Sequence, residues 1–127
     1  MGQLLHKTHR IVVIDDNEDC ADILAMLLES YGHQVWVANN GQQGLETVAL
    51  VSPTGVFLDI GMPEMNGYEV ASRLRKIPKI RQPLLIAYTA WNDLETKQKV
   101  AEAGFDILVP KTAPIEVALR ALDEIAS

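Results

Sequence analysis

Three aspartates, one threonine and one lysine stand just behind short apolar runs. Asp15 and Asp16 follow Ile11–Ile14, Asp59 follows Val56-Phe57-Leu58, Thr89 follows Leu84–Tyr88, and Lys111 comes soon after a run ending at Val109. A cluster of three carboxylates repels itself and needs counter-charge. A hard divalent cation supplies it, and few protein ligands with several waters is the habit of Mg²⁺. A phosphoryl group arriving on one carboxylate would need its oxygens neutralised by that metal, by an ammonium and by a hydroxyl donor. Those are the recurring parts of phosphoryl transfer. Taken one at a time, each residue has an ordinary explanation: an acidic pair opening a helix, a loop hydroxyl, a surface lysine. The chemistry requires all five to meet on one edge.

The elements that would bring them together are legible as alternating strands and helices. The first strand is Arg10 to Ile14, followed by a helix from about Glu18 to Ser30. Cys20, Ile23, Leu24, Leu27 and Leu28 recur there at the spacing of one buried helical face. That places Cys20 as a small buried hydrophobe. Asn17 is the expected N-cap and Gly32 the stop. The second strand, Gln34 to Ala38, leads into a helix from about Gly41 to Val51, and Ser52-Pro53 breaks the chain. The third strand is Gly55 to Leu58, and a loop with Gly61 and Pro63 leads to a helix from about Asn66 to Lys76. The fourth strand is Leu84 to Tyr88, then a helix from about Asn92 to Ala103, with Asn92 and Glu95 read as a capping box. The fifth strand, Asp106 to Val109, precedes a last helix from about Pro114 to Ala126. Such alternation predicts an α/β fold, a doubly wound parallel sheet covered on both faces. In open sheets of this kind ligands bind beyond the carboxyl ends of the strands. That is where the five residues fall.

Composition narrows the function classes. The chain has 127 residues, room for one domain, with Met1 to Thr8 expected as a tail and 9–127 as the folded unit. A formal charge of −6 argues against a nucleic-acid surface. Arg73, Arg75, Lys76, Lys79 and Arg81 form a short basic stretch, read as a solvated helix end and loop. One cysteine excludes an internal disulfide. The apolar runs are strand-length, short of the ~20 residues that cross a bilayer. The amino terminus lacks a signal-peptide pattern, so a cytoplasmic location with no membrane contact is expected. His6, His9 and His33 map far from the acidic edge.

Four segments, in this order, resemble the receiver domains of response regulators and hybrid histidine kinases. They are Ile11-Val-Val-Ile-Asp-Asp-Asn17, Phe57-Leu-Asp-Ile-Gly-Met-Pro-Glu-Met-Asn-Gly-Tyr-Glu-Val70, Tyr88-Thr-Ala90, and Ala103-Gly-Phe105 leading to Lys111. The resemblance implies a five-stranded, flavodoxin-like sheet in order 2-1-3-4-5. It implies that Asp59 is the nucleophile that takes a phosphoryl group from a phosphohistidine, carried by a cognate histidine kinase or a histidine phosphotransfer protein. It further implies Asp16 as a direct Mg²⁺ ligand, Asp15 as a ligand through water, and the main-chain carbonyl of Gly61 as another. Thr89 would be the hydroxyl that moves onto the phosphoryl group, and Lys111 its ion-pair partner. The wording around Asp59 resembles hybrid-kinase receivers more than transcription-factor ones.

Three positions depart from the family pattern. Leu108 stands where an aromatic switch residue is usual, Thr112 where proline usually follows the lysine, and Trp91 two residues beyond Thr89. With no proline at 112, the Lys111–Thr112 bond is expected to be trans, since a non-proline cis bond costs ~3 kcal/mol. The alternative within the fold is a docking module that works without phosphorylation, which would be marked by loss of an acidic residue or of the lysine. A haloacid-dehalogenase-like phosphatase would need an Asp-x-Asp pair after the first strand, where the pair here is adjacent. A flavodoxin would need a Ser/Thr/Gly-rich loop there, and Asp-Asp-Asn-Glu-Asp would repel its flavin phosphate.

Overall fold

The computed structural model describes residues 8–62, 65–90 and 93–126. Its elements run β1 (Arg10–Ile14), α1 (Glu18–Ser30), β2 (Gln34–Ala38), α2 (Gly41–Val51), β3 (Gly55–Leu58), α3 (Gly67–Leu74), β4 (Leu84–Thr89), α4 (Leu94–Ala103), β5 (Ile107–Pro110) and α5 (Glu116–Ala126). All strand pairs are parallel, in the order β2-β1-β3-β4-β5. This is the doubly wound sheet expected from the alternation of elements.

Strand alternation sorts the core into two layers. Val12, Ile14, Val56, Leu58, Leu85 and Ala87 pack with the helices α2, α3 and α4. Their neighbours Ile11, Val13, Phe57, Leu84 and Ile86 pack with α1 and α5 on the other face. Successive side chains of a strand point to opposite faces, so a strand buried on both sides must be apolar throughout. The whole of β3 is buried, whereas the edge strand β2 is only partly covered. The other edge is β5, where Pro110 fills the last strand position without spoiling an inner ladder.

Four of the five helices, α1 to α4, begin on an Asx cap. The side chains of Asn17, Asn40, Asn66 and Asp93 accept from the N–H groups of Cys20, Gln43, Glu69 and Thr96. The cap of α4 is therefore Asp93, not Asn92, which lies outside the described residues. Gly32 and Gly104, with φ of 95° and 103°, end α1 and α4 in the left-handed region that favours glycine.

The buried face of α1 differs from the expected one. Ala21, Leu24, Ala25 and Leu28 face the sheet. Cys20 is exposed, and Ile23 and Leu27 are 67% and 40% exposed. Both sets have helical spacing but are centred about a quarter-turn apart. Ala21 and Ala25, small residues on the buried face, were overlooked by a reading of the larger apolar residues alone.

The basic stretch is more than a solvated run. Arg75 donates to the carbonyls of Gly104 and Pro83, to Gln82, and to Asp106 at 2.8 Å, tying α3 to the start of β5. At the amino ends of the strands His9 is buried, 2.9 Å from Asp123 of α5, and its main-chain N–H bonds His33. Both histidines are thus far from the carboxyl ends of the strands, as expected; His6 lies outside the described residues. No peptide bond among the described residues is cis, so Lys111–Thr112 is trans. Among the same residues no helix is long and apolar enough to cross a membrane.

Candidate phosphoryl-acceptor site

The acidic edge is assembled by the ladder itself. Asp59 N–H donates to Ile14 O at 3.0 Å, and Asp15 N–H to Ala38 O at 3.0 Å, which holds both aspartates where β1 and β3 end. The carboxylate of Asp15 accepts from Asn17 N–H at 2.9 Å, and its carbonyl accepts from the Asn39 amide at 3.1 Å. Asp59 accepts from Gly61 N–H at 3.1 Å, which turns the loop back over its carboxylate. Oxygen atoms of Asp15, Asp16 and Asp59 lie within 4.8 Å of one another, with Asp15 buried, Asp59 half-buried and Asp16 exposed. Hard oxygen donors at this spacing, open to solvent on one side, suit a divalent cation that keeps much of its water.

Lys111 reaches across this group. Its N–H donates to Thr89 O at 2.8 Å, and its Nζ stands 3.4 Å from Asp15 Oδ2 and 3.8 Å from Asp59 Oδ2. Thr89 pairs with Pro110 at the last rung between β4 and β5 and is buried. Asp15, Asp16, Asp59, Thr89 and Lys111 thus all stand on one edge, with Gly61 in the loop beside Asp59. Trp91, expected beside Thr89, lies outside the described residues.

The charges are interdependent. Burial pushes the Asp59 carboxyl above the ordinary aspartate value; the Gly61 N–H bond and the Lys111 ammonium oppose that rise, and Asp15 adds to it. For Lys111 burial alone would favour the neutral amine, but the carboxylates of Asp59 and Asp15 outweigh it and raise the ammonium above the usual lysine value. One firmly charged ammonium against three carboxylates leaves the edge net negative, which favours cations.

Close packing behind the site explains a residue that the functional reading of the sequence overlooked. Gly67 opens α3, and a Cβ there would lie 2.4 Å from the Ile60 Cα and 2.7 Å from the Asp59 carbonyl oxygen. Only a glycine lets α3 approach this near, and the Asn66-Gly67 pair was the available signal. Asn39 carries no such signal, since its contact with Asp15 depends on how β2 lies beside β1.

Comparison with known proteins agrees with this geometry. The family model of the response regulator receiver domain matches residues 11–123. Over 108 residues the chain is 36% identical to the "uncharacterized 14.6 kDa protein in sodA1 3′ region" of Leptolyngbya boryana, covering 84% of this chain and 82% of that one. It is 31% identical to the transcriptional regulatory protein SrrA of Staphylococcus aureus, covering 89% of this chain but only 46% of SrrA, so the chain spans less than half of that regulator. Among solved structures, Vibrio cholerae chemotaxis protein CheY4 superposes with a TM-score of 0.84 at 20% identity, over 94% of this chain and 99% of that one. A putative response regulator from Chloroflexus aurantiacus gives 0.83 at 26% identity, over 95% and 100%. A match running from β1 into α5, on a sheet of this order with its acidic edge intact, makes the chain a member of the response regulator receiver domain family of two-component systems.

Proposed function

We propose that the domain accepts a phosphoryl group on Asp59 from a phosphohistidine, in a step that needs Mg²⁺, and passes on a signal by carrying it. The observation that carries this reading is the meeting of Asp59 with Asp15, Asp16 and Lys111 at one strand edge. The partner is a histidine kinase or a histidine phosphotransfer protein, and the folded unit of 9–127 would do this in the cytoplasm, without contacting nucleic acid or membrane itself.

Asp15, Asp16, Asp59 and the main-chain carbonyl of Gly61 would hold the metal, which when bound neutralises charge on the phosphoryl oxygens. A carboxylate oxygen of Asp59 attacks phosphorus as the bond from phosphorus to the donor imidazole nitrogen breaks, and the electron pair leaves with the imidazole. The product is an aspartyl phosphate. The Lys111 ammonium pairs with one phosphoryl oxygen, and the Thr89 hydroxyl donates to another. Hydrolysis of the acyl phosphate later returns Asp59 to the carboxylate, so the chain is a reset carrier rather than an enzyme acting on other molecules.

Incubation with acetyl phosphate and Mg²⁺, borohydride reduction and peptide mapping tests this. Homoserine at position 59 is expected. Reduction product at another aspartate, or at none, would overturn the assignment.

A further inference from the structure

Tyr88 precedes Thr89 on β4, and strand alternation turns the two side chains to opposite faces. Tyr88 packs in the layer beneath α1 and α5. Its ring meets the buried Phe57 edge-on, with centroids 5.7 Å apart and planes at 83°. Edge-to-face contact of this kind favours one ring orientation. The Nζ of Lys111 lies over that ring, 6.0 Å from its centroid. Tyr88 and Lys111 also border one open groove with Cys20, Ile23, Leu24 and Leu27 of α1.

Lysine is a point charge on a flexible four-carbon stem, so carboxylates ahead of it do not by themselves fix its path. Pro110 sets the backbone just before Lys111, and the Lys111 N–H is bonded to Thr89 O. Beyond that anchor the Tyr88 ring is a fixed surface whose negative face attracts the ammonium. Phe57 supports the ring, the ring carries the lysine, and the lysine reaches Asp59.

We propose that Tyr88 is a positioning residue for Lys111, its ring face holding the lysine so that Nζ stays within reach of the phosphoryl group arriving on Asp59. This rests on the role given to Lys111 above. The phenol hydroxyl has no part in it, so phenylalanine should serve as well as tyrosine. An aliphatic side chain of similar bulk should not.

The test replaces Tyr88 by Phe, by Leu, and by phenylalanines with increasing ring fluorination, which weaken the negative ring face at almost constant volume. Two quantities are read: the upfield ring-current shift of the Lys111 ε-methylene protons, and the initial rate of Mg²⁺-dependent phosphorylation by saturating acetyl phosphate. Tyr88→Phe is expected to match the parent in both. Fluorination should lower the rate stepwise, by about two- to five-fold at the end of the series, with the urea midpoint unchanged. Tyr88→Leu should lose the shift. A rate indifferent to fluorination, or Lys111 protons unshifted in the parent, would overturn the proposal even if Tyr88→Leu fails to fold. Should the parent take no phosphoryl group, the phosphotransfer reading fails and the role of Tyr88 falls with it. A retained ring-current shift would still mark the Tyr88–Lys111 contact as real, which separates the two failures.

Discussion

The Nζ of Lys111 stands 3.4 Å from Oδ2 of Asp15, closer than its 3.8 Å to Oδ2 of Asp59, the proposed acceptor. The ammonium therefore serves two carboxylates at once, one buried and one half-buried. A phosphoryl group on Asp59, as proposed, would add charge on that side and draw the ammonium toward it.

Lys111→Met removes that ammonium and leaves the carboxylates facing one another. Phosphorylation by acetyl phosphate is expected to slow by about 10²-fold, the usual loss when a positioned donor to developing charge is removed. The Asp59 carboxyl should also rise further above its ordinary value, because the lowering influence of Lys111 is gone. Carbon-13 detection of the Asp59 carboxyl checks the second effect. An unchanged or lowered value would contradict the coupling.

Gly67→Ala forces a Cβ against the Ile60 backbone at 2.4 Å, which no side-chain rotation relieves. Urea denaturation should show a loss of about 1–3 kcal/mol. Phosphorylation should slow as well, since the same Cβ presses on the carbonyl of Asp59. Full stability in the alanine variant would mean that α3 can move away cheaply.

Asp59→Asn should raise the melting temperature at neutral pH in Mg²⁺-free buffer. The native state holds this carboxyl above its unfolded value of 3.8. Its stabilising contribution is then complete below that value and lost as pH rises through the higher native one. At neutral pH the ionised group is a cost that asparagine removes. The gap between variant and parent should narrow as pH falls toward the unfolded value, and also as Mg²⁺ is added. A parent that melts above the variant at neutral pH without Mg²⁺ would contradict the sign.

The alternation of strands and helices and the cap at Asn17 were readable because each depends on local residue chemistry, buried apolar runs in one case and a capping amide in the other, whereas the strand order followed only from the resemblance to receiver domains. The site was readable because its residues sit at strand ends, which a parallel sheet brings together whatever the helices do. What failed were features set by contact. The face of α1 was misjudged because Cys20, Ile23 and Leu27 share the helical period of the buried set, and only packing against the sheet selects Ala21 and Ala25. The α4 cap moved to Asp93 because Asn92 and Asp93 carry equivalent capping chemistry. Arg75 and Asn39 were passed over because their partners are distant in sequence.

On the α4–β5 face, Leu108 is half-buried and packs with the α4-side core that includes Val100 and Phe105. It offers no ring to rotate in response to the Thr89 movement proposed above, and Pro110 stiffens the strand it lies on. Beryllofluoride activation should therefore change this face only modestly and leave the sedimentation coefficient unchanged. A dimer that forms only with beryllofluoride, with amide shifts spread over Leu94 to Ala103 and Ile115 to Leu122, would be the opposite result.

Intact-mass spectrometry of parent and Asp59→Asn protein, side by side, decides whether Asp59 is the acceptor. Both are incubated with acetyl phosphate and Mg²⁺, and again with a phosphorylated histidine kinase. The parent is predicted to gain one phosphoryl group in each case, to gain none with EDTA present, and to lose it again on standing. The Asp59→Asn protein is predicted to gain none. If the variant takes up the phosphoryl group as readily as the parent, Asp59 is not the acceptor.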